Sequence, residues 1–157
     1  MQLEYFQLLD RIVDLDLAAR TIRTEARVPL TSTVFEGHFP THPLMPGVLL
    51  IEAMAQTAGW LVIAATGFRR MAFLAAVKEA KLRSFVTPGF VLAVQAELVH
   101  EGSGYAMAAA RITTEGRPVC NADLTLKVMD FPNEELRARM AERAESLAFP
   151  MAVLNHG

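Results

Sequence analysis

The sequence predicts an α+β domain in which one curved antiparallel sheet wraps a single long apolar helix. Three observations predict it. Residues 47–65, GVLLIEAMAQTAGWLVIAA, span a helix's length with one charge, Glu52. The segments that follow alternate apolar and polar residues between turn signals, as half-buried strands do. Apolar residues make up 52% and charged residues 20% of the 157, enough to bury a full core in one domain.

The elements follow in chain order. QLLDRIV and RTIRTEARV, within residues 7–29, alternate imperfectly and read as two strands. Residues 30–46 read as an irregular loop stiffened by Pro40, Pro43 and Pro46, each of which extends the residue before it. The helix starts at about Pro46, where proline in a first turn loses no hydrogen bond, and Gly67 stops it after Ala65. MAFLAAVKEAKL reads as a strand, and FVLAVQAELVH as a clearer one with Leu92, Val94, Ala96 and Leu98 on one face. YAMAAARITTE and VCNADLTLKVM pair across EGRP, the second placing Cys120, Ala122, Leu124, Leu126 and Val128 on one face. Asn133 caps a last helix, a tail over about 132–148, striped by Leu136, Met140, Ala144 and Leu147. Neighbouring hairpins make an antiparallel sheet, and curling it around the apolar helix buries both. The domain spans 1–157.

Composition excludes several classes of function. A net charge of -2 and a pI near 6.1 argue against nucleic acid as the partner, since such domains carry a basic excess. Residues 47–65 have the length of a membrane span, but Glu52 and Gln56, one turn apart, would have no partner in lipid. The buried-core reading is therefore preferred, with no membrane span expected. The one cysteine, Cys120, reads as a small buried hydrophobe. The start MQLEYFQLLDR lacks the basic-then-apolar order of a secretory signal, and a reducing cytoplasmic location is expected.

The stretch GHFPTHPLMPGVLLIEAMAQ, residues 37–56, carries the chemistry. His38 sits on the stiff loop, and imidazole is the side chain suited to moving protons near neutral pH. Glu52 lies in an apolar helix, where burial favours the protonated form of a carboxyl and lets it act as a proton donor or as a partner for a leaving hydroxyl. Gln56, at i+4, shares its face and can orient the carboxyl. Gly47 offers backbone N–H at the positive end of the helix, with no side chain to block approach. A base, an acid and a carbonyl-polarising amide are the parts for eliminating water β to a carbonyl. A structural loop histidine and a simply paired glutamate are the plainer alternatives. A metal set of His38, His42 and Glu52 is disfavoured, because prolines between and after the histidines keep them off one helix face.

The same stretch resembles the signature of FabZ-type (3R)-3-hydroxyacyl-acyl-carrier-protein dehydratases, GHFPxxPxxPGVLxxEAxAQ, at every fixed position. FLAAVKEAKLRSFVTPG is similar to the strand and turn after the helix in that family, and the likeness runs over about residues 7–130. The resemblance implies a hotdog fold and obligate dimers, commonly trimers of dimers. It implies active sites at the dimer interface, with His38 of one subunit facing Glu52 of the other. His38 would take the C2 proton and Glu52 would handle the departing hydroxyl. Gly47 would donate to the thioester carbonyl, Gln56 would hold Glu52, and Phe39 would support the substrate. No metal or organic cofactor is implied. The partner is acyl carrier protein bearing a 3-hydroxyacyl chain; being acidic, it would be met by cations near the tunnel mouth, for which Arg69, Arg70, Lys78, Lys81 and Arg83 are candidates, with ordinary surface charge as the alternative.

There are departures. Phe73 stands where the family has a gate tyrosine, and EYFQLLDRIVDLDL replaces the usual opening with histidine and proline. That opening, GSGYAM and VCNADLTLKVMDFP are similar to a branch associated with very-long-chain acyl groups for lipid A. A hotdog thioesterase, a dehydratase that also isomerises the trans-2 double bond to cis-3, and a non-catalytic acyl-binding subunit are the competing readings. The glutamate at 52, in place of the FabA-branch aspartate, leans against the isomerase.

Overall fold

A computed structural model describes residues 1–156. After a short 3₁₀ turn at Leu3–Tyr5 come β1 (Arg11–Asp16), β2 (Thr21–Arg27), α1 (Thr33–Gly37), α2 (Gly47–Ala65) and β3 (Arg70–Leu82). Then follow β4 (Val91–Gly102), β5 (Tyr105–Thr114), β6 (Arg117–Asp130), α3 (Glu134–Ser146) and a final 3₁₀ segment, Met151–His156. All six strands form one antiparallel sheet in the order β1-β2-β4-β5-β6-β3, so β1 and β3 are its edges.

Alternation places the core. Leu92, Val94, Ala96 and Leu98 of β4 are buried, as are Ala106, Ala108, Ala110 and Ile112 of β5 and Cys120, Ala122, Leu124 and Leu126 of β6. These rows close on α2, whose Leu50, Met54, Leu61 and Ile63 are also buried. Each leucine, isoleucine, valine or methionine among them contributes roughly 1.5–3 kcal/mol by leaving water, and each alanine less. The register is set by two tight hairpins: Ser103–Gly104 and Glu115–Gly116 all have positive φ, the type I′ geometry whose twist matches the strands. Within the core, Thr57 Oγ1 donates to the Ala53 carbonyl at 2.9 Å and lies 2.8 Å from Thr24 Oγ1, so two buried hydroxyls satisfy each other.

Helix α2 is the one helix, among the described residues, long and apolar enough to cross a membrane. Here it is wrapped by the sheet. One face stays uncovered: Val48 is 71% exposed, and Glu52, Gln56 and Gly59 are half-buried. The adjoining edge strand β3 also leaves Phe73, Leu74, Val77 and Leu82 exposed, with Phe85 beyond it at 80%.

Three details differ from expectation. The segment 30–46 is not wholly irregular: Ser32 Oγ accepts from the Val34 N–H at 3.1 Å and caps α1. The first strand begins at Arg11, not Gln7, because Leu8 and Leu9 are both buried in succession, which an alternating strand does not allow. Past the expected tail, Phe149 packs inward and the chain continues into the final 3₁₀ segment.

Helix α3 is fastened rather than loose. Asn133 Oδ1 accepts from the Leu136 N–H at 2.8 Å, and Ala144 and Leu147 of the expected stripe are fully buried. The Ile12 N–H donates to the Leu147 carbonyl at 2.8 Å, and Arg143 Nη2 donates to the Leu9 carbonyl at 2.7 Å. Trp60, Phe68, Phe131 and Phe149 form an aromatic nest beneath it, with centroids 5.9–6.4 Å apart.

Candidate active site

The loop after α1 is held by its own backbone. Phe39 and His42 exchange both N–H···O=C bonds, at 3.0 and 2.9 Å, across a turn whose centre is Pro40–Thr41. The Leu44 N–H donates to the His38 carbonyl at 2.9 Å, and the Met45 N–H to Val86 at 2.8 Å. His38 is half-buried, its ring stacked on Phe39 at 4.2 Å. Its Nδ1 lies 3.0 Å from the Leu44 carbonyl oxygen. A carbonyl can only accept, so Nδ1 carries the proton and Nε2 of the neutral ring keeps its lone pair. His38, Phe39 and Gly47 line one cavity of about 380 Å³ with Leu82, Arg83 and Phe85. Gly47 is the first residue of α2, where the N–H has no partner inside the helix and the macrodipole is positive.

Glu52 lines a second cavity, of about 490 Å³, with Gln56, Gly59, Phe73 and Met140 among its walls. Its surroundings are governed by Gln56. The Leu8 N–H donates to Gln56 Oε1 at 3.2 Å, which turns the amide so that Nε2 donates to the Phe6 carbonyl at 2.7 Å and to Glu52 Oε1 at 3.1 Å. The amide orientation is dictated by a backbone donor from the N-terminal segment. Glu52 Oε1 is thereby engaged.

One chain thus brings together His38, Phe39 and Gly47 in one place and Glu52, Gln56 and Phe73 in another. Glu52 is less enclosed than its apolar helix suggests, because the sheet does not cover its face of α2. The five candidate cations also divide. Lys78 and Lys81 are exposed toward the end of β3 that leads to Arg83, beside the His38 cavity. Arg69 and Arg70 sit at the start of β3, roughly 25 Å of extended strand from Lys78, with Arg70 3.7 Å from Asp130. Sequence reasoning missed Phe6 and Leu8, and although it expected α3 it read it as a surface helix and did not bring it to the site, where α3 sends Arg139, Met140 and Arg143 to the Glu52 cavity. The spacing from Gln56 to Phe6 is 50 positions, beyond the reach of any local pattern.

One antiparallel sheet around one long helix is the hotdog architecture. Solved structures agree on it. The dehydratase heterocomplex ApeI:P from Xenorhabdus doucetiae superposes with a TM-score of 0.62 at 18% identity, over 86% of this chain and 90% of that one. A hypothetical thioesterase with coenzyme A from Streptococcus pneumoniae gives 0.60 at 18% identity, over 78% and 88%. At these identities the likeness concerns fold alone. The family model of the FabA-like domain matches residues 1–123, and the chain belongs to that family. It is 38% identical over 130 residues to the 3-hydroxyacyl-[acyl-carrier-protein] dehydratase FabZ of Chlamydia pneumoniae, covering 80% of this chain and 84% of that protein. The FabZ of Francisella philomiragia is 35% identical over 138 residues, covering 80% and 85%.

Proposed function

We propose that this protein dehydrates (3R)-3-hydroxyacyl thioesters of acyl carrier protein to trans-2-enoyl thioesters, in the building of fatty acid or lipid A acyl chains in the cytoplasm. The observation that carries the reading is the pairing, in one cavity, of a His38 Nε2 free to accept a proton with the N–H of Gly47, which has no partner inside α2. The FabZ relatives, at 35–38% identity, support the reaction class.

In this reading the thioester carbonyl lies against the Gly47 N–H. Nε2 of His38 removes the C2 proton, and the charge gathering on the carbonyl oxygen is stabilised by the helix terminus. The C3–O bond breaks as the hydroxyl, held at the Glu52 carboxyl, receives a proton there and leaves as water. Gln56 fixes the carboxyl. No metal or organic cofactor enters.

The two halves belong to different cavities of one chain, and the uncovered face of α2 lies beside an exposed, apolar edge strand. The arrangement that completes the site is a homodimer, with His38 of one subunit meeting Glu52 of the other, and dimers grouped as a trimer. Lys78, Lys81 and Arg83 are the cations placed to receive the acidic carrier; Arg69 and Arg70 would serve only a mouth at the far end of β3.

The test is direct. Purified protein given a 3-hydroxyacyl thioester should raise the ultraviolet absorbance as the conjugated enoyl forms. Release of free thiol without enoyl product would make it a thioesterase instead. Inactive His38→Ala and Glu52→Gln samples, dissociated and reassociated together, should recover activity through mixed dimers. Recovery failing between two folded variants would remove the shared site.

A further inference from the structure

The Glu52 cavity runs down one side of α2. Glu52, Ala55, Gly59 and Ile63 follow at i, i+3, i+7 and i+11, so they share a face and extend over roughly 16 Å of helix. The carboxyl stands at one end; below it the α2 and β3 walls are apolar, with Ala55, Trp60, Ile63 and Met71, and α3 adds Met140 between Arg139 and Arg143. Such a compartment, with a carboxyl at the head and an apolar helix wall below it, suits an alkyl chain, and about 490 Å³ is within the range of cavities that take small organic ligands.

Two features of the wall are unexplained by packing. Gly59 lies in the middle of α2, where glycine is the poorest helix former after proline. No neighbour requires it, since a Cβ built there meets nothing within 4 Å. What the missing side chain leaves is open volume inside the cavity. Met140 of α3 lines the same cavity, with Arg139 and Arg143 beside it. Helix α3 lies wholly beyond residues 1–123, which the family model matches, so this wall is added to the shared domain. It is also rigidly placed, through Leu147, Ala144 and the bonds from Ile12 and Arg143.

We infer that α3, through Met140, and α2, through Gly59, bound the compartment for the acyl tail and set the chain length the protein accepts. The inference rests on the acyl-thioester reading above and adds the residues that measure the substrate. Gly59 keeps the compartment wide near the middle of the helix, and Met140 limits it from outside.

The test compares the wild type with Gly59→Leu and Met140→Ala on a short-to-long ladder of straight-chain 3-hydroxyacyl pantetheine thioesters. Gly59→Leu should lower the long-to-short ratio of kcat/KM by about tenfold or more, the scale on which a pocket discriminates a methylene group. Met140→Ala should raise that ratio. Calorimetric binding of saturated acyl pantetheine thioethers, which cannot be dehydrated, should show the same opposed shifts. Should Gly59→Leu fail to fold, Gly59→Ala and Met140→Ala carry the comparison. Length profiles that stay parallel to the wild type in both variants overturn the inference even if dehydration is confirmed. Shifted thioether binding without any enoyl formation upholds the compartment and overturns the dehydratase reading instead.

Discussion

His38 and Leu44 are joined twice, by the Leu44 N–H to the His38 carbonyl at 2.9 Å and by His38 Nδ1 to the Leu44 carbonyl at 3.0 Å. The double tie fixes both the turn and the tautomer, so the ring presents Nε2 without rearrangement. His38→Ala should therefore cost about 10²–10⁴-fold in kcat, the usual range for a positioned acid–base group, while thermal unfolding stays close to wild type. Enoyl absorbance measured beside circular dichroism checks both halves.

Gln56 predicts a different pattern. Its amide serves Leu8, Phe6 and Glu52 at once, and Gln56→Leu leaves the Leu8 N–H and the Phe6 carbonyl without it. Urea denaturation should show a loss of about 1–3 kcal/mol. The same variant should lose turnover through an unoriented Glu52.

The buried hydroxyl pair offers a cleaner account of hydrogen-bond energy. The Thr57 proton goes to the Ala53 carbonyl, so Thr24 is the donor to Thr57. Thr57→Val strands the Thr24 hydroxyl and should cost about 1–3 kcal/mol, whereas Thr24→Val with Thr57→Val should cost less than the two single changes summed. A double-mutant cycle by chemical denaturation reads the coupling.

Cys120 is buried on β6, and burial pushes its thiol up to about 11. The folded chain therefore keeps a proton that the unfolded chain has lost in alkaline solution. This contribution to stability is intact below the unfolded thiol's pKa and fades as pH rises from there toward about 11. Iodoacetamide at neutral pH should leave the native thiol unmodified and label it readily in denaturant.

Much of the fold was legible because its signals are local. Val94, Ala108 and Leu124 sit in rows whose alternation alone places them inside, and the near-absence of charge in α2 marks it as the centre. The candidate stretch, residues 37–56, was legible as a contiguous run. What escaped reading is what the chain assembles over distance. Phe6 and Leu8 reach Gln56 from the far N-terminus, and α3 reaches the Glu52 cavity from beyond β6. Even α1 hid behind the prolines that follow it, although Ser32 is an ordinary capping residue. The exposure of β3 was hidden too, since an apolar strand reads alike whether a sheet or another molecule covers it.

Trp60 is the only tryptophan in the sequence; it is buried in the aromatic nest and also lines the Glu52 cavity beside α3. The molecule consequently carries a built-in optical probe. Undocking of the C-terminal segment or entry of an alkyl chain would each change the polarity around one indole, and its emission would report either event without any added label.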